Sequence, residues 1–197
     1  MKRIAVLVSG GGTNLQALID AWKRGELGGG EIICVISSRK DAYALKRAEQ
    51  NGIEALTITK AKDQSPARYS DALLRELQTR KIDLVVLAGF LSILEGKLLQ
   101  EYNRRIINVH PSLIPSFCGP GQYGLKVHQA ALDYGVKVTG ATVHFVDAVV
   151  DGGEILLQKA VEVHPGDTPE TLQKRVMEQA EWELLPKAVA LLCQGEV

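Results

Sequence analysis

The segment IINVHPSLIPSF, residues 106–117, carries two hydrogen-bonding side chains where an apolar run breaks off. Asn108 and His110 stand two residues apart, so an extended backbone turns both to one side. A histidine can exchange a proton near neutral pH, and an asparagine amide can donate to a developing oxyanion. Pro111 and Pro115 fix the path of the chain as it leaves and limit its swing. A third candidate is Asp151 in VVDGG, a carboxylate at a tight turn with glycines supplying unusual φ angles. Each has a plainer reading: a satisfied buried histidine beside a capping asparagine, and an ordinary hairpin-turn aspartate. What favours chemistry for the first pair is their position, at the carboxyl end of a strand.

SGGGTNL, residues 9–15, places three glycines ahead of Thr13 and Asn14. Glycines let backbone N–H groups approach an anion, and a helix N-terminus favours negative charge there. One of Thr13 and Asn14 is expected to cap that helix, worth about 1 kcal/mol. The stretch is not a dinucleotide fingerprint, because Leu15 stands where its last glycine would fall. The strand at 31–37 also lacks a terminal acid for a ribose diol, although Ser37, Ser38 and Arg39 could mimic a site for a ribose 2′-phosphate. A single phosphate suits the glycine loop better than NADP does. The remaining histidines read as structural: His128 opening an amphipathic helix, His144 in TVHFV and His164 in a turn. His144 alone among them is two-faced enough to line a pocket. No His, Cys, Asp or Glu set has metal-ligand spacing.

These residues need a scaffold, and the pattern supplies one. Apolar runs of strand length at 3–9, 31–37, 54–58, 82–90 and 105–110 alternate with helical spacing at 14–24, 43–51 and 67–80. Such alternation means a parallel sheet covered on both faces, a doubly wound Rossmann-like α/β fold. Longer, more alternating strands at 136–146 and 154–163 predict an antiparallel or mixed extension of the sheet. A closing helix is expected from Pro169 to about Leu192, interrupted or kinked near Pro186. The three candidate segments then all fall at carboxyl ends of strands, where open α/β sheets bind ligands.

With 197 residues and no repeat or linker, a single domain over 1–197 is expected. Lys plus Arg (23) equals Asp plus Glu (23), which argues against nucleic acid or an acidic membrane as partner. The apolar run near the N-terminus is too short for a signal core. Cys34, Cys118 and Cys193 lack metal-type spacing and read as reduced thiols of a cytoplasmic protein.

In order and spacing, SGGGTNL, LAGFLSIL, NVHPSLIPSF and TVHFVD followed by DGGEILLQ resemble the glycinamide ribonucleotide formyltransferases over essentially the whole chain. The HPSLLP-type block belongs to the wider folate-dependent formyltransferase superfamily, while SGGGTNL and the compact length are similar to its purine-biosynthetic branch. The resemblance implies formyl transfer from 10-formyltetrahydrofolate to the amine of glycinamide ribonucleotide, through an oxyanionic tetrahedral intermediate. Asn108, His110 and Asp151 would form the catalytic set, with Asn108 and protonated His110 donating hydrogen bonds to the oxyanion and Asp151 raising the pKa of His110. Gly11, Gly12, Thr13, Asn14 and Leu15 would hold the ribonucleotide phosphate, with Glu181 near the same ligand. Leu91, Ser92, Ile93 and Leu94, with Asn108 and the run Asp147, Ala148, Val149, Val150 and Asp151, would line the folate pocket, largely through backbone. The N-terminal half would then chiefly bind ribonucleotide and the C-terminal half folate, with no metal and with the chain a monomer or homodimer.

The sequence departs from the family pattern at Ser92, where many members carry arginine, and near Pro66, where Arg68 stands a short step away. The loop SFCGPGQYG, residues 116–124, is longer than in some relatives, and its glycines suit a lid. Rival readings are a formyltetrahydrofolate hydrolase, another formyltransferase of the superfamily, and a non-catalytic Rossmann-type nucleotide-binding module. The last leaves Asn108, His110 and Asp151 as coincidence.

Overall fold

A computed structural model describes residues 1–197. Five strands run parallel: β1 (Lys2–Val8), β2 (Gly30–Ser37), β3 (Glu54–Thr57), β4 (Leu84–Leu87) and β5 (Ile106–His110). Two more, β6 (Val138–Phe145) and β7 (Ile155–Glu162), add antiparallel to give the order β3-β2-β1-β4-β5-β6-β7. The expected fold class is therefore the observed one. Helices α1 (Thr13–Lys23), α2 (Tyr43–Gln50), α3 (Pro66–Thr79), α4 (Lys97–Glu101), α5 (Leu125–Tyr134), α6 (Pro169–Val176) and α7 (Trp182–Gln194) complete the chain. No helix is long and apolar enough to cross a membrane.

Alternation along β1 divides the core. Ile4, Val6 and Val8 pack with Leu15 and Leu18 of α1 and Leu185 and Val189 of α7, while Ala5 and Leu7 pack with Tyr69, Leu73 and Leu77 of α3 and Leu98 of α4. Ile107 and Val109 of β5 join the first cluster and Ile106 the second, so Asn108 and His110 lie on the α3/α4 side of the sheet. There the segments around 111–124 and 146–153, not a helix, meet β5 and β6.

The chain steps outward from β1 to β3, then returns to place β4 on the other side of β1. This reversal opens a crevice at the carboxyl ends of β1 and β4. Ser9 fastens it: its N–H donates to Gly89 O at 3.1 Å, and its hydroxyl accepts from the Leu91 N–H at 2.9 Å and pairs with Ser38 Oγ at 2.6 Å.

Two local expectations are corrected, and one element is new. The fourth strand is shorter than 82–90, because the left-handed Gly89 (φ 71) turns the chain out of the sheet. The closing helix breaks its regularity at a π-helical turn, Met177–Glu181, while Pro186 sits inside α7. Pro186 lies early enough that its missing N–H strands only the carbonyl of Trp182, next to that wider turn. The five-residue α4 was not foreseen; it is too short for a periodic signal.

Candidate active site

The antiparallel register sets Asn108 of β5 opposite His144 of β6, and His110 opposite Thr142. All four therefore share one face. Asn108 Nδ2 lies 3.2 Å from His144 Nε2. The Thr142 hydroxyl donates to Ser112 O at 2.7 Å and accepts from the Ile114 N–H at 3.1 Å, pinning the turn that follows β5. Asp151 arrives from the far end of the β6–β7 connection with φ 55, a left-handed conformation that aspartate tolerates. Its Oδ2 is 3.6 Å from His110 Nδ1 and its Oδ1 3.6 Å from His144 Nε2. Gly119 donates its N–H to Asp151 Oδ2 at 2.9 Å. Asn108, His110 and Asp151, distant in sequence, thus stand together, with His144 between two of them.

Partner chemistry fixes both imidazoles. His110 Nε2 faces Phe117 O at 2.9 Å, and a carbonyl only accepts, so Nε2 carries the proton and Nδ1 is the free nitrogen of the neutral ring. His144 Nδ1 faces Phe145 O at 2.8 Å and must donate likewise. His110 is almost wholly buried, and burial pulls its pKa below the ordinary histidine value. The Phe117 carbonyl and Asp151 push it up, Asp151 in the expected direction, but burial prevails and the net shift is a fall. Burial raises the pKa of Asp151, but the pull of His144, the Gly119 N–H and His110 outweighs it and keeps the carboxylate charged.

At the carboxyl end of β1 no side chain caps α1, which overturns the expectation for Thr13 and Asn14. The cap is Gly12, left-handed at φ 74, and the first intrahelical bond runs from Gln16 N to Gly12 O. The N–H groups of Thr13, Asn14 and Leu15 point out of the helix end, as an anion site requires. Thr13 Oγ1 instead points to Met177 Sδ at 3.7 Å, and Asn14 Nδ2 donates to Glu181 Oε2 at 2.6 Å. Leu15 is wholly buried, so its side chain belongs to the core and only its N–H remains for a ligand. Glu181 is buried with no cation, and desolvation raises its pKa to about 7 although Asn14 pulls it down. Asn14 Oδ1 is buried without a partner. One unpaired acceptor, Asn14 Oδ1, therefore stands beside a buried carboxyl that already accepts from the same amide.

The segment after β4 divides likewise: Leu91 and Ile93 are exposed, whereas Leu94 is buried in the α3/α4 core. Asp147 accepts from the Val149 N–H at 2.8 Å, and Val149 and Val150 are exposed apolar residues in the same turn. A cleft of about 410 Å³ is lined by Asp147 and Ala148 together with Leu99, Gln100, Asn103 and Val146. Leu99 and Gln100 went unnoticed in the sequence because α4 itself was unseen. Arg68 lies in the first turn of α3, its N–H bonded to the capping Ser65 hydroxyl at 3.3 Å. The 116–124 loop is tied to the cluster through Phe117 O and the Gly119 N–H.

A crevice at a sheet's switch point, an uncapped helix end and an Asn–His–Asp cluster describe an α/β group-transfer site. The sequence profile of the formyl transferase family matches residues 2–189. The structure of glycinamide ribonucleotide transformylase 1 from Symbiobacterium toebii superposes with a TM-score of 0.92 at 45% identity, covering 99% of this chain and 89% of that one. The phosphoribosylglycinamide formyltransferase of Haemophilus influenzae is 40% identical over all of this chain and 90% of its own length. The chloroplastic enzyme of Arabidopsis thaliana is 38% identical, and this chain spans 67% of it. Trifunctional purine biosynthetic proteins match over 14% to 19% of their length. The chain belongs to the formyl transferase family, in its phosphoribosylglycinamide formyltransferase branch.

Proposed function

We propose that the chain transfers the formyl group of 10-formyltetrahydrofolate to the amine of glycinamide ribonucleotide, a step of purine biosynthesis. The observation that carries the catalytic reading is the convergence of Asp151 on Asn108 and His110, which share one face of the β5–β6 pair. A non-catalytic nucleotide module has no use for that convergence.

The amine attacks the formyl carbon, and the carbonyl oxygen becomes an oxyanion. Asn108 donates an N–H to it, an interaction strongest in the transition state. The attacking nitrogen must shed a proton. His110 is held neutral by burial, with its Nδ1 lone pair turned toward Asp151, and is built to take that proton. Asp151 stabilises the imidazolium formed, and the proton passes on to the departing folate nitrogen as the carbon–nitrogen bond breaks. The phosphate sits on the N–H groups of Thr13, Asn14 and Leu15. Glu181 and Asn14 Oδ1 accept from sugar hydroxyls. The folate lies along the cleft at Val146, Asp147 and Ala148, beside the exposed apolar residues Leu91, Ile93, Val149 and Val150. The unpaired thiols suit a reducing compartment such as the cytoplasm.

The test is formyl transfer by the wild type beside Asn108→Ala, His110→Ala and Asp151→Asn. Loss of one oxyanion donor is expected to cost about 10²–10³ in kcat for Asn108→Ala. Release of free formate without transfer would replace the reading with a hydrolase. Ribonucleotide binding without turnover in the wild type would leave only a binding module.

A further inference from the structure

A primary amide is two-faced: turned one way it offers a proton to a carbonyl oxygen, turned the other it offers a lone pair. Nothing in Asn108 itself selects between them. The selection comes from across the strand pair. His144 is buried at 2% exposure and directly opposite Asn108 in the register. Its Nδ1 is 2.8 Å from Phe145 O, so that nitrogen holds the proton of the neutral ring and Nε2 is left with a lone pair. That lone pair lies 3.2 Å from the Asn108 amide. Only the NH₂ end of the amide can satisfy it, since the oxygen end would set two lone pairs against each other. One N–H of Asn108 is spent on His144 and the second is left to point elsewhere. Asp151 Oδ1, at 3.6 Å from the same nitrogen, lies beyond hydrogen-bond reach, which leaves Asn108 as the nearer partner of Nε2.

We infer that His144 is a positioning residue that, as its Nδ1–H tautomer, holds the Asn108 amide with its NH₂ in the site and so creates the oxyanion donor. The inference rests on the role proposed above for Asn108 and concerns what makes that role possible. It explains why a histidine stands in the otherwise apolar strand TVHF: both ring nitrogens are in use, one on the backbone of β6 and one on β5. A leucine would fill the space and leave the amide free to turn.

The test uses the full chain. Steady-state kinetics are measured for the wild type, His144→Leu, His144→Gln, Asn108→Ala and the double variant His144→Leu/Asn108→Ala. Nitrogen-15 shifts of the histidine rings in the wild type report the tautomer. A protonated Nδ1 with an unprotonated Nε2 on His144 is expected. His144→Leu should lower kcat by about 10² with KM little changed, because the lost interaction belongs to the transition state. His144→Gln places an amide oxygen near the lost Nε2 and should recover activity to within about tenfold of wild type. In the Asn108→Ala background His144→Leu should cost less than about threefold more, since its effect runs through the missing amide. Full multiplication of the two losses would overturn the inference while leaving Asn108 catalytic. An Nε2–H tautomer would overturn it even were every His144 variant to misfold. Wild-type turnover in Asn108→Ala would remove the role of Asn108 and the inference together.

Discussion

The Phe117 carbonyl accepts a hydrogen bond from His110 Nε2 at 2.9 Å, and a left-handed backbone at Phe117 (φ 50) aims it there. A bulky residue in that region costs roughly 1–2 kcal/mol and persists only where its surroundings hold it. Here the ring packs edge-on against Tyr134, with centroids 6.0 Å apart, and the Ser112 hydroxyl bonds the adjacent Ser116 carbonyl at 2.6 Å. The strained turn keeps one nitrogen of His110 occupied and leaves the other to Asp151.

That arrangement fixes the pH dependence of the reaction. A base that must be neutral loses activity as pH falls through its pKa, and His110 sits below the ordinary value of 6.5. The acid limb of kcat/KM should therefore fall below pH 6.5. Asp151 raises the His110 pKa, so Asp151→Asn should move the limb to still lower pH while depressing the plateau. A pH–rate profile measures both. A limb that moves upward in the variant would mean that Asp151 acts on some other group.

His128 offers a stability readout away from the chemistry. It is 1% exposed on α5 with neither ring nitrogen partnered, and burial lowers its pKa to about 4 from 6.5. With the folded pKa depressed, the unfolded chain binds the proton first, so stability is complete above pH 6.5 and declines toward pH 4. The loss should reach about 3 kcal/mol. Urea unfolding at pH 7.5 and 4.5 should show that slope in the wild type and a shallower one in His128→Leu. Equal slopes would mean that other groups carry the acid sensitivity.

How much of this was legible depends on which interactions are local. The parallel sheet and its antiparallel extension follow from apolar runs that any strand reading finds. The pair at Asn108 and His110 could be placed on one face because the period of two is a local property. His144 passed as structural, since what makes it matter is the register that sets it opposite Asn108, and no local pattern encodes a pairing 36 residues away. The cap expected at Thr13 or Asn14 failed for the same reason: both side chains are claimed by Met177 and Glu181 from the far end of the chain. Glu181 itself came only through family resemblance, and the π-helical turn in which it lies gave no signal in the sequence.

Glu181 should show a conflict between stability and binding. Its folded pKa is raised from 4.5 to about 7, so it contributes least cost below pH 4.5, and the penalty of a buried charge grows as pH rises through 7. Glu181→Gln keeps a partner for Asn14 and removes the charge. It should stabilise the fold at pH 8 by up to about 3 kcal/mol and hardly at pH 4. The same change should raise KM for the ribonucleotide, because a strong acceptor for sugar hydroxyls is lost. Chemical unfolding at the two pH values and a ribonucleotide titration decide it. A variant destabilised at pH 8 would show that the carboxylate finds compensation the buried site does not display.

Gly12 tests the phosphate loop by shape alone. A Cβ there would lie 2.6 Å from Ala44 Cβ and 2.9 Å from Ala44 Cα, on a backbone whose φ of 74 already excludes most side chains. Because the obstacle is the backbone of α2, relief requires α2 or the loop to move. The loop is the weaker of the two, held to α2 by the Ala44 N–H to Gly10 O at 3.1 Å and by Arg47 Nε to Gly11 O at 2.8 Å. A Cβ at Gly11 would meet nothing within 4 Å, so Gly11→Ala is the control. Gly12→Ala should raise KM for glycinamide ribonucleotide by about tenfold or more, since misaimed N–H groups forfeit charge-assisted bonds to phosphate of about 1.5–3 kcal/mol each. It should leave the KM for the folate nearly unchanged, whereas Gly11→Ala should alter neither fold nor folate binding. Equal ribonucleotide KM values for Gly12→Ala and wild type would show that the phosphate is held away from the end of α1.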